Sequence, residues 1–567
     1  MTSGIPAAFG DFNSDEYPDL FVIDNKDRRN IEILLGGDGD PLIKKSGKSR
    51  KCRMDYPVTS LVPGDFDGDA VMDVLVTMDR QNASTGCSRL KDTQEVRVLW
   101  GDGDTLMCNS SFNQPLFMCG QPLAMDYNMD MIIDLFGELN SKRTFWVFNK
   151  TRNYPKVVEM VRSTDPEFKA LSPLRIPHSH AFLDLSSDYS PDMFVTTEAG
   201  FEIWLKDPRT PEGFVYSDET WKFPEGVKHA GQSIFLDTEL KGKLDHIFPA
   251  CHDDACTNSS LYVRLNNKWL PLKINFHDKT NGVWGFVPPN PSSIIQNVIT
   301  LHGGDYNMDG YPDLLATLKS GTKTKTFLLK NEQCVADCAE YSRTFTIAWD
   351  ELSPANNNTQ LGVFYDFMQD GILDIIFVRN GTTTAFKNNL DYDANFIKVM
   401  VITGLKEHPV PVIPSPSRKK TYGTNLPGPL ISYNSTDQDD KPRASVSPQL
   451  PQSAYMSLHL PYTLFGLGRT PNFVDKLTVG IYNKTRYWTQ IIPNSQMVVI
   501  PIPLNDPSRW TARLFVTPSK LIVKSFIALL GTCLFLTLII AVLWWRERRE
   551  DHQEKRQESH LFHYDGM

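Results

Sequence analysis

GDYNMDGYPDL, Gly304 to Leu314, is an acidic phrase set between short apolar runs, and Gly10 to Leu20 repeats it almost letter for letter as GDFNSDEYPDL. Oxygen-bearing side chains stand at positions one, three, five and nine, counted from the first Asp. A search on that spacing finds copies starting at Asp11, Asp65, Asp126, Asp184, Asp237, Asp305 and Asp366, 53 to 68 residues apart. Self-similarity at a near-constant period marks a repeat architecture and comes before any other fold argument.

The surroundings repeat too. A short apolar run precedes each copy (SLVPGD, HAFLD, GVFYD) and another follows (DLFVID, DVLVTM, DIIFVRN). A third run usually lies 20 to 30 residues beyond the first Asp: IEILL, VRVLW, TFWVF, FEIWL, LYVRL, TFLL, TAFK. Such runs, rich in β-branched and aromatic residues and bounded by Gly, Asn and Asp, read as strands. Each repeat is then a small antiparallel sheet of three or four strands, with the acidic phrase as the turn between two of them. One small sheet cannot cover its own faces, but seven packed radially cover each other. The expectation is an all-β ectodomain with a seven-bladed β-propeller over residues 1–390. Little chain precedes Asp11, so the last blade, ending near Asn389, is expected to lack its outer strand or to borrow one.

Carboxylates crowded into a nine-residue turn repel one another, at about 3–4 kcal/mol per close pair for an effective dielectric near 20. Ca²⁺, which takes six to eight oxygens in a flexible shell, removes that cost. Full oxygen sets stand at Asp11/Asn13/Asp15/Asp19, Asp65/Asp67/Asp69/Asp73, Asp126/Asn128/Asp130/Asp134 and Asp305/Asn307/Asp309/Asp313. The fourth copy, Asp184/Ser186/Asp188/Asp192, is weaker by one hydroxyl. The seventh, Asp366/Asp370/Asp374, has Met368 at position three, and the fifth puts Lys241 at position five. No Glu closes a twelve-residue loop and no helices flank it, so these are not EF-hands. Structural Ca²⁺ is expected at about four sites, or six if the weaker copies also bind; the competing reading is acidic turns that only hydrogen-bond.

The pattern D-x-[DN]-x-D-G-x-x-D, behind FGD and ahead of an apolar strand, resembles the FG-GAP repeat of integrin α-chain propellers. Across the whole chain, RIPHSHAFLDL, WGFVP, GDYNMDGYPD, IIPNSQ and the terminal EKRQESHLFHYDGM are similar to a family of type I membrane proteins built on FG-GAP repeats. The integrin resemblance implies that the acidic loops face away from the main ligand surface, so that their ions stiffen the ring rather than hold its partner. The whole-chain resemblance implies modulation of T-cell responses, with a shed ectodomain.

Beyond the repeats, FIKVMVITG, SAYMSLHL, DKLTVGIY and MVVIPIPL read as strands of a membrane-proximal β-sandwich over 396–516, with Ile413 to Gln452 as a long loop. Its FGLG resembles the ASPIC/UnbV domain that follows FG-GAP repeats elsewhere. Residues 521–545 form an apolar stretch long enough to span a bilayer, and RERR directly after it marks the cytoplasmic side. The 546–567 tail is read as solvated, with a short docking motif around Phe562 and Tyr564 as the alternative. N-x-[ST] occurs at Asn82, Asn109, Asn149, Asn258, Asn357, Asn380, Asn434 and Asn483, always before the anchor. Eight cysteines also precede it, and nearness in sequence pairs Cys52 with Cys87, Cys108 with Cys119, Cys251 with Cys256 and Cys334 with Cys338. Met1 to Leu20 holds no signal-peptide pattern, and an upstream segment is expected.

A net charge of −9 gives no support to nucleic-acid binding. G-x-S-x-G, H-E-x-x-H and P-loop patterns are absent. His178 and His180 could chelate a metal from one strand face, and Cys251 to Cys256 could bind zinc; a structural pair and a small disulfide loop are the plainer readings. The leading expectation is a non-enzymatic plasma-membrane receptor whose propeller binds a protein partner in adhesion or signalling. A secretory-pathway scaffold or trafficking protein is the alternative. A membrane-anchored hydrolase is a third, but the catalytic domain that accompanies FG-GAP repeats in a zinc-dependent phospholipase has no counterpart here.

Overall fold

The computed structural model describes residues 2–561 except 38–42, 45–49, 81–86, 88–92, 110, 111, 113, 161–170, 211, 212, 218–220, 336, 337, 339, 391–393, 406–420, 437–440, 470–472 and 517–519. Seven antiparallel sheets of four or five strands follow one another along the chain. Blade 2 shows the plan, with Val58–Gly64, Asp73–Asp79, Thr93–Leu99 and Leu116–Cys119 side by side. Its first two strands are buried on both faces because neighbouring blades cover them, which explains their continuous apolar runs. Shared cores join blade to blade: Phe12, Phe21 and Ile33 pack with Val74 and Val76, and Phe194 and Phe201 with Phe235 and Phe248.

The ring closes by the second of the two expected routes: the last blade borrows its outer strand, and does so from the N-terminus. Thr2–Ser3 pairs with Thr383 and Thr382 on the outer side of blade 7, so the last sheet mixes both ends of the propeller chain. The Gly4 N–H donates to the Gly381 carbonyl beside that junction.

The second domain is a sandwich of two four-stranded sheets around a core that includes Ile397, Ile431, Phe465, Leu477 and Trp510. Two sequence readings fail here. Leu430–Thr436 and Pro442–Pro448 are strands inside the expected long loop. SAYMSLHL is not a strand: this connection enters the bore of the propeller. Ser453 Oγ accepts from the Ala124 N–H on the inner strand of blade 3, the Tyr455 N–H donates to the His178 carbonyl, and His302 Nε2 bonds the Met456 carbonyl. Tyr455, Met456 and Leu458 pack with Ile5, Phe9 and Val363 from the inner strands of blades 1 and 7. The apolar spacing of that stretch answers to walls on several sides rather than to a pleat.

The cysteine pairs also differ. Cys52 is bonded to Cys108 and Cys87 to Cys119, whereas Cys251–Cys256 and Cys334–Cys338 join neighbours. The first two bridges cross because Cys52, on an outer strand of blade 1, faces the loop that carries Cys108 in blade 2. A separate helix, Lys520–Leu561, carries the apolar stretch, with the side chains of residues 524–545 exposed, and runs on through RERR to Leu561, so this part of the tail is helical. Phe562 and Tyr564 lie outside the described residues.

Candidate metal loops and the domain docked on them

Each acidic phrase joins the first and second strands of its blade, and the last rung of that hairpin pairs the residue before position one with the Asp at position nine, as in Gly10 with Asp19 and Gly304 with Asp313. The loop between them is held by its own carboxylates. In all seven copies one oxygen of the first Asp accepts the backbone N–H five residues on, at 2.7–3.2 Å. Left-handed residues such as Gly68, Gly310 and Gly371 let the backbone turn its amides inward. In six copies the fifth-position Asp accepts the N–H two residues on.

Position nine has a different task from the one its residue type suggests. In loops 1, 2, 3, 4 and 7 one oxygen accepts the N–H at position two, and the other accepts a backbone N–H at the end of the third strand: Gly36 for Asp19, Gly101 for Asp73, Phe148 for Asp134, Lys206 for Asp192 and Asn388 for Asp374. The ninth Asp therefore ties loop to sheet.

Positions three and five vary between copies. In loops 1, 3 and 6 the amide of Asn13, Asn128 or Asn307 donates to Asp15, Asp130 or Asp309 at 2.8–3.0 Å. In loop 5 Lys241 turns outward to pair with Glu239 at 2.6 Å instead of filling the centre. In loop 2 both positions are Asp, and Arg152 of blade 3 reaches across to Asp67 at 2.6 Å and Asp69 at 3.3 Å. In loop 7, where Met368 supplies no oxygen, the buried Lys398 of the second domain donates to Gln369 at 3.1 Å. Ser186 makes a long bond of 3.4 Å to Asp184 in loop 4.

Burial pushes the carboxyls up, and neighbouring carboxylates add to it. Asp11 is raised to about 7, Asp134 and Asp305 to about 8, and Asp65, Asp73 and Asp313 well above the usual range. A buried acid in this state takes up either a proton or a cation. One atom favours the cation: Asn13 Oδ1 in loop 1 is buried without a hydrogen-bond partner. Among the described residues, Asp65, Asp67 and Asp73 converge, with one oxygen from each within 4.8 Å of the others. In loop 2 Arg152 already occupies an oxygen of Asp67, whereas the donor sets of loops 1, 3 and 6 are hard oxygens of the kind Ca²⁺ takes.

The two weaker copies depart from their expected ligand sets. Asp188 of loop 4 is exposed at the rim, where it accepts the Ser190 N–H at 2.7 Å. Asp370 of loop 7 is half-buried and accepts the Ile372 N–H at 3.2 Å. Among the described residues, neither Asp188 with Asp184 and Asp192 nor Asp370 with Asp366 and Asp374 forms a converging trio, and the same is true of the three Asp residues in loops 1, 3 and 6. What separates loops 4 and 7 from these is position three, where Ser186 and Met368 replace the Asn that bonds the fifth-position Asp. Loop 7 has a cation besides: burial raises Asp366 to about 7 against the opposing pull of the Lys398 ammonium.

The loops also form a docking floor. Tyr482 donates to Asp126 in loop 3, the Asn483 N–H to the Tyr189 carbonyl in loop 4, and the Gly468 N–H to the Met308 carbonyl in loop 6. Arg443 donates to the Asp309 carbonyl, and Lys241 bridges to Ala444. Sequence reasoning missed Arg152, Lys398, Arg443 and Tyr482, which lie far along the chain from the loops they serve.

Other candidates resolve simply. His178 and His180 stack at 3.8 Å, and each Nδ1 accepts a backbone N–H, so neither ring presents that nitrogen to a metal. Cys251 and Cys256 are bonded to each other, not arranged for zinc. The sequon asparagines at 109, 149, 258, 357, 380, 434 and 483 are all exposed; Asn82 lies outside the described residues.

The family model for the FG-GAP-like repeat matches residues 11–76, and the one described as "ITFG1, C2 domain" matches 421–515. The T-cell immunomodulatory proteins of Mus musculus and Homo sapiens are each 39% identical, over 100% of this chain and 92% of theirs. Protein linkin of Caenorhabditis elegans is 27% identical over 100% of this chain and 95% of its own. Among solved structures, the exotype rhamnogalacturonan lyase YesX aligns over 68% of this chain and 72% of its own at 11% identity, with a TM-score of 0.35 too low to bear on function. With seven FG-GAP-type blades, a C2-like sandwich and full-length similarity at this level, the chain belongs to the T-cell immunomodulatory protein family.

Proposed function

We propose that the chain is a single-pass type I cell-surface glycoprotein whose propeller binds a protein partner in adhesion or signalling, and that it modulates T-cell responses as the names of its relatives describe. The observation that carries this reading is the full-length similarity to those proteins. The second domain covers the acidic-loop floor and fills the bore, which directs a partner to the opposite face, where the hairpins between second and third strands emerge. Calcium is the structural ion of the acidic loops, held in loops 1, 3 and 6 by Asp11, Asn13 and Asp15, by Asp126, Asn128 and Asp130, and by Asp305, Asn307 and Asp309. It would supply charge neutralisation there and no chemistry. The exposed sequons and four disulfides suit an outward-facing ectodomain.

Surface biotinylation of cells expressing the full chain, followed by proximity labelling from an ectodomain tag, tests the proposal. Exclusive recovery from internal membranes would replace it with the secretory-pathway scaffold.

A further inference from the structure

Loop 2 alone of the seven has Asp at all of positions one, three, five and nine. It also differs in how its third and fifth positions are joined. Where position three is Asn, the amide donates to the Asp at position five and no cation is needed between them. Asp67 and Asp69 have no such donor in each other, and both are buried.

Arg152 fills that gap. It stands at the start of Thr151–Glu159, the fourth strand of blade 3, just past the hairpin turn that projects toward blade 2. Its Nε donates to Asp67 Oδ2 at 2.6 Å and a terminal nitrogen to Asp69 Oδ2 at 3.3 Å. The guanidinium lies over the Trp100 ring, 5.2 Å from its centroid, which fixes the plane of the fork. A delocalised cation with several donors suits two adjacent carboxylates better than an ammonium would.

We infer that Arg152, rather than a metal ion, is the resident cation of the second acidic loop. The inference rests on the calcium reading of the other loops only for its contrast with them. Loop 2 then joins blade 2 to blade 3 by a covalently tethered charge that no chelator removes. The remaining full loops depend on a diffusible ion. Of the four full loops, loop 2 alone is then independent of calcium.

The test uses the full chain in neutral-lipid nanodiscs, with calcium uptake counted by equilibrium dialysis and melting followed in chelator. Asp67→Asn should leave the number of bound calcium ions unchanged. Arg152→Gln should melt about 2–4 °C lower in chelator and bind one calcium more than the parent. Arg152→Gln combined with Asp67→Asn gives loop 2 the Asp–Asn–Asp set of loops 1, 3 and 6, so it should keep the added calcium ion and recover part of the melting loss in chelator. Arg152→Lys, which keeps the charge, should keep the parent's count. The inference is overturned if Asp67→Asn loses an ion, or if Arg152→Gln neither gains an ion nor melts lower. A parent that binds no calcium refutes the calcium reading instead, and the melting arm still decides the role of Arg152.

Discussion

Gly466 of the second domain lies directly against Asp305 of loop 6: a methyl group placed on its Cα would come within 1.9 Å of the carboxylate Oδ2 and 2.6 Å of the Met308 backbone. This contact gives the FGLG run a physical reason. The first of its glycines is a clearance between two domains, not a turn.

Gly466→Ala should therefore loosen the dock while leaving both domains folded. Overpacking of this kind costs about 1–3 kcal/mol. Limited proteolysis of the full chain should reveal faster cleavage between the propeller and the sandwich, and hydrogen exchange should rise in Gln449 to Tyr462. Unchanged protection of that segment would refute the docking role.

Calcium dependence should follow the loops' own chemistry. Chelation should lower the melting temperature, since an ion bound only by the native state stabilises it by mass action. Asp309→Ala should remove part of that dependence. Lys241→Ala should leave it intact, because Lys241 faces Glu239 at the rim and not the loop centre. Superimposable melting curves for the parent in calcium and in chelator would dispose of the structural ion.

Acid should weaken the protein from the bore outward. Burial holds His178 and His302 down to about 4 from the usual 6.5. A group whose pKa falls on folding contributes stability above its unfolded pKa and loses it as pH drops toward the folded one. The window is thus about pH 6.5 to 4, and each ring costs on the order of 2 kcal/mol by pH 5. His178 faces the Gln121 carbonyl and stacks on His180, which lies near Arg143 and its partner Glu202; His302 faces the Met456 carbonyl and lies near His459. None of these stabilises an added proton on Nδ1 of His178, which already accepts the His180 N–H. The raised carboxyls of loops without calcium, such as Asp65, Asp73 and Asp366, gain stability over the same range, so the readout is a difference: in saturating calcium the parent should lose more melting temperature than His302→Gln between pH 7 and pH 5. Equal slopes for the two would contradict the sign.

Orientation has a chemical readout. Peptide N-glycosidase should lower the apparent mass of the cell-expressed chain, and protease added to intact cells should spare only the C-terminal helix and tail. Mass unchanged by the enzyme, with the propeller protected, would reverse the topology.

The blades were legible because a nine-residue spacing of oxygens is rarer than any strand pattern. It located all seven hairpins and, through them, the sheets. The strand Leu430–Thr436 escaped because its polar outward residues, Ser432 and Asn434, and its flanking prolines imitate a loop. SAYMSLHL misled in the opposite sense, since apolar spacing records burial and not hydrogen bonding. The Cys52–Cys108 bridge and Arg152 were out of reach for one reason: each joins neighbouring blades, and sequence proximity says nothing about which outer strand meets which loop; once Cys108 is taken, Cys87 pairs with Cys119 inside blade 2. Two adjacent acids at positions three and five were the one signal that loop 2 would need an outside cation.

The peg in the bore has a consequence for manufacture. A ribosome delivers the propeller first, and its first strand can close the ring once Phe386 has emerged. At that moment the axis is an open hole rimmed by Ile5, Phe9 and Val363, because Tyr455 and Met456 are still inside the synthesis machinery. The nascent molecule therefore carries a greasy socket through roughly 70 further residues of elongation, several seconds at ordinary translation speeds. Whatever shields that socket in the meantime is part of how this protein is made.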